Sequence, residues 1–154
     1  MFRQGKLLEA NSCYQESMAL NHEMGDKFGL SLVHCYLGLL ALAQDRPAAA
    51  RASFVEGLAI AHQSAMKLYT VYNLIGMASF FSRESRHARS ATLLSAAVGI
   101  AESIGLKIEP ELQEPYDEAL AKVRGKLAPE DFGSAWEAGR NMDIERTVQF
   151  ALEN

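Results

Sequence analysis

The sequence predicts an all-α protein made of helical hairpins that repeat about every forty residues and stack as a solenoid. The first observation is self-similarity. KLLEANSCYQESMALN (6–21), RPAAARASFVEGLAIA (46–61) and RHARSATLLSAAVGIA (86–101) carry one pattern of small and large apolar positions. Ala10, Ala50 and Ser90 align, as do Tyr14, Phe54 and Leu94, then Met18, Leu58 and Val98, then Ala19, Ala59 and Gly99. The second is periodicity. Apolar residues inside each segment fall at i, i+3/i+4 and i+7, the signature of a helix with a broad buried face. The third is what is missing: strand-like alternation is absent and β-branched residues are sparse. A hairpin repeated at fixed period cannot bury its apolar face alone, so neighbouring units must cover it.

The elements follow in order. A helix over 6–24 places Leu7, Ala10, Tyr14 and Met18 toward the next helix, and Gly25-Asp26 closes it. It carries further apolar residues, Leu8, Cys13 and Leu20, with no helix before it to cover them. Self-association through that face, as a homodimer, is the expectation, because large exposed apolar patches usually mark interfaces. The same uncovered face suggests the tail of a longer protein. A second helix spans 28–44, and Asp45-Arg46-Pro47 breaks it, with the proline suited to a helix start. A third, 47–64, aligns Ala50, Phe54, Leu58 and Ala61 in one stripe. Helices over 67–83 and 87–104 repeat the pair, and Gly105 ends the last.

Three shorter helices are expected beyond the repeats, at 114–127, 129–139 and 143–152. Proline inside a helix costs about 3 kcal/mol, so the first of them is expected to begin near Pro115. Glu109, Glu111, Glu114, Asp117 and Glu118 crowd its start, where acids suit the helix dipole. The organisation expected is one helical-repeat domain over 1–154, with repeats to 106 and capping helices from 107.

Composition narrows the functional class. The net charge of −4 lacks the clustered Lys and Arg of a nucleic-acid surface. Residues 1–80 hold six basic and six acidic side chains; 81–154 hold nine and thirteen, so the imbalance lies wholly in the second half. No apolar run reaches the 18 or so residues a bilayer requires, and MFRQGKLLEAN lacks a signal-peptide core, so a cytoplasmic location is expected. Cys13 and Cys35 are too few for a disulfide framework and are expected to be reduced and buried.

Motifs for chemistry do not occur: no phosphate-binding glycine loop, no CxxC, no HExxH, no GxSxG. His34 and Cys35 are adjacent, and helix neighbours point about 100° apart, so they cannot act as a nucleophile–base pair. His22 and His62 share a phase in the repeat, but one repeat apart they do not converge on a metal. No enzyme, metal or cofactor is expected. Trp136 is expected to anchor the terminal helices on the last repeat.

Leu37-Gly38 followed by Ala50-x-x-x-Phe54 resembles the tetratricopeptide repeat, which places Leu-Gly in its first helix and Ala-x-x-x-Phe in its second. His34, Ala41 and His62 stand where that family has an aromatic residue, a tyrosine and a proline. The next unit can be set in register through either Ile75-Gly76 or Met77-Ala78. The forty-residue period is similar to the longer-helix form in the C-terminal superhelical region of large maltose-regulator-like, ATP-dependent bacterial activators with a LuxR-type DNA-binding end. Phe132, Ala135, Trp136, Gly139, Arg140 and the run 143–152 resemble the closing segment of those regulators. Arg146 stands where they commonly have an acid, which removes a capping box with Asp143.

The resemblance implies a right-handed solenoid and a non-enzymatic interaction or effector-sensing module of a bacterial signalling or transcriptional regulator. A free-standing adaptor binding a partner helix or peptide is the alternative. It also implies a concave groove lined by first helices, here Leu32, Cys35, Leu39 and Leu42, then Tyr72, Asn73, Met77 and Phe80. Those side chains suit an amphipathic helix or an apolar effector. Core packing under the C-terminal helices is the other reading of the same residues.

Overall fold

The computed structural model describes residues 4–153. Met1–Arg3 and Asn154, which belong to the expected domain, lie outside them. Eight helices and no strand occur among the described residues: α1 (Gln4–Met24), α2 (Lys27–Ala43), α3 (Pro47–Gln63), α4 (Lys67–Arg83), α5 (His87–Ser103), α6 (Pro110–Lys126), α7 (Pro129–Arg140) and α8 (Ile144–Leu152). The five helices expected in the repeat region end within a residue or two of their expected limits. No described helix is long and apolar enough to cross a membrane.

The period is written into the turns. Gly25, Asp45, Ala65, Ser85 and Gly105 adopt left-handed backbone, with φ between 54° and 67°, at intervals of twenty residues. Each terminates its helix with the same pair of hydrogen bonds. Gly25 N–H donates to the His22 carbonyl and Asp26 N–H to Asn21; Asp45 to Leu42 and Arg46 to Ala41; Ala65 to His62 and Met66 to Ala61. Ser85 to Ser82 with Arg86 to Phe81, and Gly105 to Glu102 with Leu106 to Ala101, complete the set. This is the Schellman closure, which satisfies two carbonyls of the last turn. Glycine adopts this backbone without strain; Asp45, Ala65 and Ser85 do so at a cost that fold context repays. Helices α2, α3, α4 and α5 are each 17 residues long. The alignment that keeps these limits pairs Leu37-Gly38 with Met77-Ala78, which settles the register left open by sequence.

The chain divides into two compact units, Met1–Asn73 and Leu74–Asn154, the division falling within α4. In the first unit α1 packs on α2 and α2 on α3. The α2–α3 contact centres on Phe54, fully buried, whose ring lies against Gly38; a Cβ there would stand 2.3–2.6 Å from the ring. The two residue pairs that carried the repeat resemblance therefore meet. A buried polar knot joins three helices. Ser31 Oγ donates to the Gly57 carbonyl at 2.9 Å, while Asn73 Nδ2 donates to Ser31 Oγ at 3.2 Å and to the Tyr69 carbonyl at 2.9 Å. Asn73 Oδ1, buried with no N–H or O–H partner, sits against Gly57, where a Cβ would be 2.3 Å away.

In the second unit α5 is the hub, contacted by α6, α7 and α8. Ser90 Oγ donates to the Ala78 carbonyl at 2.7 Å, holding α5 on the end of α4. α6 starts at Pro110, not near Pro115, and Pro115 lies inside it. The reason is local. A proline at this position frees only the carbonyl of Glu111, which is exposed, so water can take the missing bond. Pro115's own carbonyl accepts from Ser79 Oγ at 3.4 Å. α6 then buries Leu112, Tyr116, Ala119 and Val123, one face of the helix.

Candidate functional site

The side chains expected to line a groove are mostly interior. Cys35, Leu42, Tyr72, Asn73, Met77 and Phe80 are buried, and only Leu32 and Leu39 keep partial exposure. In the first unit Cys35 Sγ donates to the Tyr72 carbonyl at 3.5 Å, and Tyr72 stands edge-on to Tyr69, 6.0 Å between centroids. Burial pushes the Cys35 thiol far above its ordinary range, so it is an inert packing group. Met77 and Phe80 belong to the second unit, where Phe80 lies edge-on to Phe81 at 5.2 Å. The surface a partner can reach on α2 is thus carried by Leu32 and Leu39, with Phe28, 60 % exposed, at the helix start.

The α1 residues expected to lack a covering helix, Leu8, Cys13 and Leu20, are all exposed, which corrects the separate expectation of a buried Cys13. Cys13 is exposed, not buried, because it lies away from the Tyr14 side of α1; Tyr14 stacks on Tyr36 of α2 at 5.7 Å. Leu8 and Leu20 are 71 % and 57 % exposed, but twelve residues along a helix turn them about 120° apart. Cys13 and Leu20 share a flank with Met24; Leu8 does not.

His34 on α2 is half-buried. Burial holds its pKa below the ordinary imidazole value, Glu56 on α3 opposes that shift, and His22 on α1 reinforces it. No group of three or more His, Cys, Asp or Glu side chains that could hold a metal occurs among the described residues.

The richest constellation lies in the second unit, around the Phe132, Ala135, Trp136 and Gly139 of the closing segment. α7 is seated on α5 backbone to backbone. Gly139 is buried over the Thr92 carbonyl, so close that a Cβ would stand 2.1 Å from it. Thr92 Oγ1 donates to the Ala135 carbonyl at 3.1 Å and Ser95 Oγ to the Trp136 carbonyl at 2.6 Å. Trp136 contributes its carbonyl there, while its ring, half-buried, stacks on Phe132 at 5.4 Å. The signal for this seat was present as small and hydroxylated residues on one side of α5, but such residues are equally common on solvated faces.

α8 is held through Arg89, on the first turn of α5. The guanidinium lies between two rings, 4.8 Å from the Phe81 centroid and 4.6 Å from Phe150. Its Nη2 donates to the carbonyls of Phe150 and Glu153 at the end of α8. A cation there complements the negative end of the helix. Arg86 also lies over Phe81, at 4.8 Å. Asp143 caps α8 by accepting from Arg146 N–H at 2.8 Å, so half of the lost capping box persists; the Arg146 side chain turns to Glu153 at 2.7 Å. Beside this assembly opens a cleft of about 550 Å³, walled by Arg89 and Thr92 of α5, Leu127 at the end of α6, Asp131 and Ser134 of α7, and Phe150 of α8.

No protein-family model, curated protein or solved structure matches the chain.

Proposed function

We propose that the chain is a non-enzymatic helical-repeat module of the tetratricopeptide type, acting in a signalling or transcriptional regulator by binding a protein or peptide partner. One observation carries the reading: identical 17-residue helices closed by the same turn every twenty residues, with Phe54 packed on Gly38 where the repeat resemblance places them. A regular array of helices offers repeated, rigid faces for recognition and supplies no convergent ionisable groups of its own. The partner face is α2, where Leu32 and Leu39 remain reachable beside exposed Phe28.

A photo-crosslinking residue placed at Leu32 or Leu39, against the same residue at exposed Glu56, tests it in cells producing the protein. One partner captured from α2, absent from the Glu56 variant and bound again by the purified chain, supports the reading. Capture that is equal at all three positions contradicts it.

A further inference from the structure

We infer that α8 is a latch: it undocks from α5 as a unit about Asn141–Asp143, and its release uncovers Arg89 at the start of α5. The burial of the helices points there first. α5 buries ten residues, among them Leu93, Leu94 and Ile100, whereas α8 buries Thr147, Val148 and Ala151, none of them large. α7 also buries little, only Gly139, but the Thr92 and Ser95 hydroxyls bond its carbonyls, whereas α8 rests on its three small buried residues and on Arg89. A free helix of nine residues is marginal in water, so undocking and unfolding of α8 are one event.

What holds α8 is a specific clamp. Arg89 spans the gap between Phe81 and Phe150 and donates to two carbonyls of the last turn. Arg89 also sits on the first turn of α5, where the helix dipole disfavours a cation; the opposite pole of α8 offsets this. Docked α8 therefore satisfies a group that its own helix places badly. When α8 leaves, the cleft loses its Phe150 wall. Arg89 then loses its Phe150 cover and keeps the Phe81 ring, which the exposed Arg86 also overlies. The device goes beyond the interaction reading above and stands without it.

Amide hydrogen exchange of the full chain, read by mass spectrometry or NMR, tests the latch. The amides of 147–152 are expected to exchange at one common rate, at least tenfold faster than those of 93–100, with little dependence on urea. Arg89→Met, which keeps the stem between the rings but removes the donors, is expected to speed 147–152 a further tenfold or more and leave 50–61 unchanged. Val148→Ala, which loosens the buried side instead, is expected to act in the same direction. Exchange graded smoothly from residue 152 inward would mean simple fraying and would overturn the latch. So would α8 and α5 exchanging together, or Arg89→Met melting both at once.

Discussion

The two units solve one problem, holding helices side by side, with different chemistry. In the first, a large ring fills the gap: Phe54 packs on Gly38, and the Ser31–Asn73 knot fixes how far the helices slide. In the second, the position equivalent to Phe54 is Leu94 and the one equivalent to Ala50 is Ser90, whose hydroxyl bonds the Ala78 carbonyl. α7 comes closer still, with Gly139 against backbone and the hydroxyls of Thr92 and Ser95 on its carbonyls. A ring-in-gap contact is set by volume; a backbone seat is set by the absence of volume and by direction. The same periodic sequence can therefore keep its helix lengths while changing what glues them.

That contrast can be broken from either side. Phe54→Ala is expected to have the largest effect, lowering stability by about 3–5 kcal/mol in chemical denaturation, because a fully buried ring leaves a cavity facing Gly38. Gly139→Ala comes next. Its Cβ would meet the Thr92 backbone, which cannot step aside as a side chain does, so a loss of about 1–3 kcal/mol or more is expected, with faster exchange in α7. Ser95→Ala removes one directed bond to the Trp136 carbonyl, for about 1 kcal/mol by the same measurement. Ala65→Gly should act in the opposite direction. It relieves left-handed strain at an exposed turn and is expected to raise stability by about 0.5–1 kcal/mol in thermal melting.

The smallest effect concerns pH. His34 binds its proton less readily folded than unfolded, so stability is complete above the unfolded imidazole value of about 6.5 and declines as pH falls below it. His34→Gln is expected to flatten the urea midpoint between pH 7 and 5. An unchanged slope would show that Glu56 cancels the burial of the ring.

The legible part of this molecule was its period. Helix limits followed from apolar spacing, and Gly25, Pro47 and Gly105 marked breaks that any chain with those residues tends to make. Ala65 and Ser85 were illegible as left-handed turn residues, since neither type favours that backbone; tertiary spacing imposes it. Pro115 misled because the cost of a helical proline depends on whether the freed carbonyl is wet, which spacing does not reveal. Cys13 misled because free cysteine is usually buried, whereas the expected stripe of Leu7, Ala10, Tyr14 and Met18 is what turns inward on α1. Arg89 was invisible for a different reason: its partners Phe81, Phe150 and Glu153 are brought together only by the closing helices. The groove residues Leu32, Cys35, Leu39, Leu42, Tyr72, Met77 and Phe80, with the polar Asn73 among them, were legible as helical, but not as buried or open.

If the forty-residue unit is the true building block, a chain missing one whole unit should still fold. Deleting residues 27–66 joins Asp26 to Lys67 and leaves the turn at Gly25 leading into α4 in the register it offered to α2. Circular dichroism with chemical denaturation of that deletion, beside one lacking 27–56, is the most direct measurement. The first is expected to keep a helical spectrum and a single cooperative transition, and the second to lose the transition. Loss of cooperativity in both, or its survival in both, would contradict a repeat whose units are interchangeable.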